Sequence, residues 1–123
     1  MAQVNVLNPP FNANLSTDQT GNGDSTNVAF RGPNVGGGAV VITSVIGATP
    51  TVTVNIRGSM DGVNYFNVPY ALVATPRTFV LTAITITTAV TTTYILQELV
   101  PYRFLKLVYS ANTNVTLTAD AYL

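Results

Sequence analysis

The strongest constraint on the fold of this chain is a two-residue alternation of apolar and polar side chains. It is cleanest in residues 51–57, where Val52, Val54 and Ile56 alternate with polar residues. Successive side chains of a β-strand point to opposite faces of the sheet, so the pattern predicts a strand with one face in the core. No stretch of the chain has a convincing helical period. We therefore expect an all-β protein.

Several other segments predict strands and turns. Residues 39–46 form a short apolar run typical of a core strand, and residues 103–109 and 115–123 alternate on either side of a turn at 110–114. Asp61-Gly62 predicts a hairpin turn into a short aromatic strand. Six or seven strands with 19 threonines indicate one antiparallel β-sandwich or jelly-roll-like domain.

One further alternating segment, residues 78–87, contains a change of phase. Phe79 and Leu81 would face one side of a strand, and Ile84 and Ile86 would face the other. We therefore expect a bulge or a bend at Thr82-Ala83.

The composition changes near residue 38. Breaker residues dominate before this point, strand patterns follow it, and Gly36-Gly37-Gly38 predicts a flexible joint. We therefore divide the chain into an extended N-terminal arm, residues 1–38, and a β-sandwich domain, residues 39–123.

The N-terminal arm has too little apolar surface to fold alone. Burial of its roughly eight large apolar side chains would contribute about 12 to 24 kcal/mol. Ordering its backbone would cost about 40 to 75 kcal/mol. The arm either stays disordered or adds as a strand to a partner surface, and its interspersed apolar residues favour the second. We expect these partner-binding anchors: Val4, Val6, Leu7, Phe11, Leu15, Val28 and Phe30.

The charge content limits the partners that this chain can have. Five basic residues balance five acidic ones, and charged residues make up only 8% of the sequence. A neutral chain with so little charge tends to associate, so we expect it in an assembly. The basic residues are scattered, which disfavours nucleic acid as a partner. The longest apolar run is too short to span a bilayer, so no membrane partner is expected.

The chain contains no histidine and no cysteine. Their absence removes the usual neutral-pH general base, Ser-His and Cys-His nucleophiles and the commonest transition-metal ligands. The lack of cysteine and of a signal peptide fits synthesis in a reducing cytoplasm. The segment from Asp18 to Asp24 is similar to part of a calcium loop but lacks the closing glutamate. We therefore expect no enzymatic activity, no catalytic residue, no cofactor and no metal site.

Aromatic side chains give the remaining candidate site. A small β-sandwich uses aromatic residues in its core and in cross-strand pairs, while exposed rings can also stack on sugars. We therefore expect an interface, with a glycan platform as the alternative, at Tyr65, Phe66, Tyr70 and Tyr102.

Three segments carry a resemblance to a known group of proteins: residues 58–66 (GSMDGVNYF), 101–109 (PYRFLKLVY) and 114–119 (NVTLTA). Together they resemble small virion proteins of tailed bacteriophages, and the resemblance covers residues 39–123. It implies a capsid decoration (cement) or head-fibre role, in which sandwich domains project from the shell and often form trimers.

Taken with the arm, the resemblance leads us to expect a non-enzymatic capsid decoration protein on the virion exterior, made in the host cytoplasm. We expect it to bind and stabilise the phage head through its N-terminal arm, residues 1–38. Its partners would be the major capsid protein and copies of itself, as a homotrimer. Residues 101–109 are also similar to a strand of discoidin-like and carbohydrate-binding sandwiches. A glycan-binding adhesion module is therefore the alternative, and a minor tail or baseplate component is a third interpretation.

Overall fold

The computed structural model describes residues 12–34, 38–97 and 101–122. In these ranges the expectation of an antiparallel all-β protein is confirmed. The strands described are β1 (Asn12–Gln19), β2 (Gly23–Asp24), β3 (Val28–Asn34), β4 (Gly38–Ser59), β5 (Phe66–Asn67), β6 (Tyr70–Leu72), β7 (Ile84–Ile86), β8 (Thr91–Leu96) and β9 (Tyr102–Tyr122). They form one sheet with the order β1-β9-β4-β8-β6; β2 and β3 also pair with β9, and β5 and β7 with β4.

Two strands of unusual length, β4 with 22 residues and β9 with 21, form the frame of the sheet. Each joins two segments that the sequence predicts as separate strands. The register between them runs from Ala39↔Tyr122 to Ser59↔Phe104, with a shift between Ile46 and Thr51. The predicted turn at residues 110–114 is therefore wrong as a chain reversal, because it is a corner within β9.

The corner depends on a close approach of the two long strands. A Cβ atom on Gly47 would lie 3.1 Å from the Cβ atom of Asn114, so the absence of a side chain at Gly47 lets the two strands approach closely. The Asn114 Nδ2 donates to the Ala48 carbonyl at 2.7 Å. Asn114 itself has a φ of 54°, a left-handed conformation that asparagine adopts more readily than most residues. Residues 47–50 and 111–114 thus bend together.

The corner divides the sheet into two halves. The first half contains residues 38–46 and 115–122 with β1, β6 and β8; the second contains residues 51–59 and 102–110 with the remaining strands. One cluster of buried side chains includes members of both halves, such as Ile42 and Leu117 from the first and Val54 and Leu107 from the second. The two halves of this one antiparallel sheet therefore share a single core, which is consistent with a sandwich-like fold.

The segment from residue 12 to residue 34 differs from the prediction of a separate arm. β1 pairs with the end of β9, and β3 pairs with its beginning, where Val28 lies opposite Leu105. Leu15 and Val28 belong to the core cluster. The division at residue 38 is therefore not a domain boundary for these strands, because they add to the edge of β9 in their own chain.

The remaining predictions concern short elements. Residues 78–87 do not form one strand: Val80 makes an isolated bridge with Tyr70, and β7 begins only at Ile84. The change of phase at Thr82-Ala83 lies in this interruption. The predicted Asp-Gly hairpin is confirmed, since β5 pairs with the end of β4 through Arg57↔Asn67 and Gly58↔Phe66.

Candidate interaction surface

The predicted anchors of the N-terminal arm fall into three groups. Val4, Val6, Leu7 and Phe11 lie outside the described residues, as does the side chain of Phe30. Leu15 is 1% exposed and Val28 is 9% exposed, and both pack in the core of their own chain. The assignment of these two side chains to partner binding is therefore wrong. Their own chain supplies the apolar contacts that the sequence analysis assigns to a partner.

The four predicted aromatic residues do not form one platform. Tyr102 is completely buried and fills the core. Phe66 and Tyr70 are partly buried against that core. Tyr70 also makes an edge-to-face contact with Tyr94, with 5.4 Å between the ring centroids. Of the four, only Tyr65 belongs to a cluster of polar side chains on the surface.

Tyr65 lies in a three-residue cluster with Lys106 and Asp24, which we call the Lys106 cluster. The Lys106 ammonium lies 4.1 Å from the centroid of the Tyr65 ring, a cation–π geometry. The same ammonium donates to the Asp24 carboxylate at 2.8 Å. The side chains are 19% exposed for Lys106 and 53% for Asp24, so the ion pair faces solvent. The cluster joins β2 and β9 to the loop that precedes β5.

The loop between β4 and β5 is organised by one carboxylate. Asp61 Oδ1 accepts hydrogen bonds from the Val63 and Asn64 backbone N–H groups, both at 2.8 Å, and from the Ser59 hydroxyl at 2.9 Å. These bonds, led by that from the Asn64 N–H, hold the pKa of Asp61 well below its ordinary value. Gly62 has a φ of 78°, which fits the predicted turn. Asp61 therefore stabilises a turn and is poorly suited to proton transfer near neutral pH.

Exposed aliphatic side chains concentrate beside β6, in residues 72–81, which we call the apolar loop. Leu72, Val73, Val80 and Leu81 are all exposed, Val73 by 62%. Backbone hydrogen bonds between Tyr70 and Val80, in both directions, close the base of this loop. The sequence contains these aliphatic residues but gave no reason to separate them from core positions, because they fall where the strand alternation breaks.

A shallow cavity of about 400 Å³ lies at the corner of the sheet. Val45 and Ile46, both exposed, line it beside polar side chains. The predicted core run 39–46 is therefore only half correct, since Val40 and Ile42 face the core and its last two residues face solvent.

Within the described ranges, no group of three or more acidic, histidine or cysteine side chains is placed to bind a metal ion. No helix within residues 12–34, 38–97 or 101–122 is long and apolar enough to cross a membrane.

Comparison with known proteins adds no assignment. No protein-family model, no curated protein and no solved structure matches the chain.

Proposed function

We propose that this chain is a non-enzymatic structural protein of a bacteriophage virion, of the capsid decoration (cement) type. The observation that carries the proposal is the apolar loop on a chain in which only 8% of the residues are charged. Exposed aliphatic groups with so few charges around them favour association over life as a free monomer. The resemblance of residues 58–66 and 101–109 to small phage virion proteins supplies the kind of assembly.

Attachment through residues 12–34 needs a different form from the one that the sequence favoured. Leu15 and Val28 are buried in the core, so partners would contact the outer surface of the folded sheet. The apolar loop is the surface that we assign to contact between copies, as in a homotrimer. A body that contacts both its copies and the major capsid protein would bridge neighbouring subunits of the shell.

The acidic side chains support a role without catalysis. Asp24 pairs with Lys106, and Asp61 organises its own turn. Asp120 accepts a hydrogen bond from the Asn14 amide at 3.0 Å. Chemistry with paired carboxylates needs two acids that converge on one bond, and these three stabilise separate parts of the sheet.

Purified virions of the phage that encodes the chain provide the direct test. We expect mass spectrometry to detect the chain in them, and immunogold labelling to place it on the head. Purified protein should also rebind to heads that lack it. Labelling confined to the tail would contradict the decoration role in favour of a tail or baseplate component, and absence from virions would contradict the whole proposal.

Self-association has its own test in the apolar loop. We expect Val73→Asp and Leu81→Asp to shift the protein to a smaller species in analytical ultracentrifugation, because each places a charge in an apolar contact. Thr87→Asp adds the same charge at an exposed position outside the loop and should leave the assembly unchanged. A wild-type protein that stays monomeric at high concentration would contradict this part.

A further inference from the structure

Arg57 stands out among the charged side chains of the second half of the sheet. It lies between two buried neighbours of β4, Ile56 and Gly58, so the alternation of the strand places it on the outward face. Its register partners are Lys106 on β9 and Asn67 on β5. Two cations thus lie directly opposite each other, an arrangement that destabilises a sheet unless negative charge is near.

The one acid of this neighbourhood for which the structure gives an ion pair, Asp24, is bound to Lys106. Lys106 is therefore matched by an acid, whereas no ion pair is formed by Arg57 among the described residues. Within the described ranges, the guanidinium of Arg57 has no ion-pair or hydrogen-bond partner. Its Nε is also the single buried side-chain nitrogen or oxygen there without a hydrogen bond. A buried donor without a partner is costly, and a movement of the Arg57 side chain that brings this Nε–H to an acceptor on a ligand removes that cost.

We propose that Arg57 binds a carboxylate, and that this carboxylate is an acidic side chain of a partner protein. The planar guanidinium presents a fork of donors that matches a carboxylate in a bidentate contact. One guanidinium without an ion pair fits one carboxylate better than a more highly charged anion such as a phosphate ester.

The surroundings of Arg57 favour a protein side chain over a free small molecule. The residue lies on the outward face of three neighbouring strands, whereas small-molecule sites are usually concave. Its register partner Lys106 contacts the half-buried Tyr65, and the loop that follows β4 carries the exposed Met60 and Val63. Arginine and tyrosine with apolar residues around them are typical of the central contacts in protein interfaces. The inference goes beyond the proposed function, because it applies to any acidic partner.

Nitrogen-15 NMR of the arginine Nε–H groups tests this assignment on the full chain. Arg57→Lys identifies the Arg57 signal by its loss. The wild-type protein is then titrated with blocked aspartate (N-acetyl-aspartate N-methylamide), with glucuronate, and with sodium chloride at matched ionic strength. We expect a saturable shift of the Arg57 signal with blocked aspartate, weaker binding of glucuronate, and no saturable shift with chloride.

Two variants keep the assignment falsifiable. Arg57→Lys retains the charge and loses the fork, so we expect binding of blocked aspartate, followed at the Asn67 amide, to weaken by about tenfold or more. Arg77→Lys, in the apolar loop, should bind as the wild type does.

Three outcomes overturn the inference. The absence of a saturable shift removes the carboxylate site. Equal shifts at all arginine signals indicate general screening and also remove it. Tighter binding of glucuronate than of blocked aspartate overturns the protein partner in favour of an acidic sugar. Because the experiment uses the isolated chain, none of these outcomes depends on whether the chain is found in virions.

Discussion

The paired long strands β4 and β9 and the N-terminal segment, residues 12–34, belong to one sheet but join it in different ways. The β4–β9 pair buries every second side chain along much of its length, and its register is continuous except at the corner. The N-terminal segment buries few apolar side chains, and β1 has register shifts on both sides of Ser16. Burial of side chains orders the long strands along most of their length, whereas the N-terminal segment depends more on its pairing with the edge of β9.

This difference shows that a count of apolar residues does not decide whether a segment is ordered. Residues 12–34 cannot offset their conformational entropy by burial alone, yet they form β1, β2 and β3. Backbone hydrogen bonds to β9 contribute to their order, together with the burial of Leu15 and Val28. In return they cover an edge of β9 that would otherwise expose unpaired N–H and C=O groups.

The largest expected effect tests whether the two regions unfold together. We expect Leu15→Ala and Leu117→Ala each to lower the free energy of unfolding by about 2 to 5 kcal/mol, because both side chains are buried in one core. Chemical denaturation followed by circular dichroism measures both losses. Thr17→Ala, on the exposed side of β1, is the control and should change stability by less than about 0.5 kcal/mol.

An independent arm would give a different result. In that case Leu15→Ala would leave the main unfolding transition where it is in the wild type, while Leu117→Ala would still shift it. Such a separation of the two variants would restore the division at residue 38.

The next prediction compares the substitution of one glycine in each region. A Cβ atom on Gly58 would lie 2.9 Å from Val68 Cγ2 and 3.1 Å from the Tyr102 Cβ, so Gly58→Ala forces side chains in the core to move. We expect a loss of about 1 to 3 kcal/mol in the free energy of unfolding. Gly21 has no neighbouring atom within 4 Å of such a Cβ, and Gly21→Ala should be nearly neutral. Equal effects of the two substitutions would contradict the tight contact at Gly58.

The strand content was predictable because it is encoded locally. Val52, Val54 and Ile56 alternate with polar residues, and all three are buried as expected. The joining of neighbouring strands was not predictable in this way. The corner depends on Gly47 and Asn114 meeting across two strands, and Thr49 and Ala111 adopt positive φ values that no local pattern indicates.

The surface was harder to predict than the fold, because it depends on register between distant segments. Arg57 and Lys106 become neighbours only when β4 and β9 pair. The sequence predicts Tyr102 at an interface, or alternatively on a glycan platform, because it is aromatic, yet it packs beside Gly58 in the core. The sequence identifies an aromatic residue or a charge, but the pairing of strands decides what lies beside it.

A smaller effect concerns the contact that links the two regions directly. The hydroxyl groups of Ser16 on β1 and Tyr109 on β9 form a buried hydrogen bond of 2.7 Å. We expect Tyr109→Phe to cost about 1 kcal/mol, because it leaves the buried Ser16 hydroxyl without this partner. Ser16→Ala in the Tyr109→Phe background should cost little more, and a double-mutant cycle measures this coupling. Tyr122→Phe removes an exposed hydroxyl and is the control. Additive losses would show that the bond does not join the regions.

The smallest expected effect on stability concerns the loop between β4 and β5. Local hydrogen bonds hold this loop, whereas the N-terminal segment is held by the edge of β9. The folded-state pKa of Asp61 is depressed below its ordinary value of 3.8, so its contribution to stability is present above that pH and is lost as the pH falls. We expect Asp61→Ala to have a lower melting temperature than the wild type at pH 6, and this gap to narrow as the solution is acidified below about 3.8. Asp61→Asn also lacks the charge, so its gap to the wild type should narrow over the same pH range, from a smaller value at pH 6 because the amide oxygen still accepts a hydrogen bond. A gap of constant size from pH 6 down through the acid range would mean that the Asp61 charge does not stabilise the turn, which would then be attributed to Gly62 and the Ser59 hydroxyl.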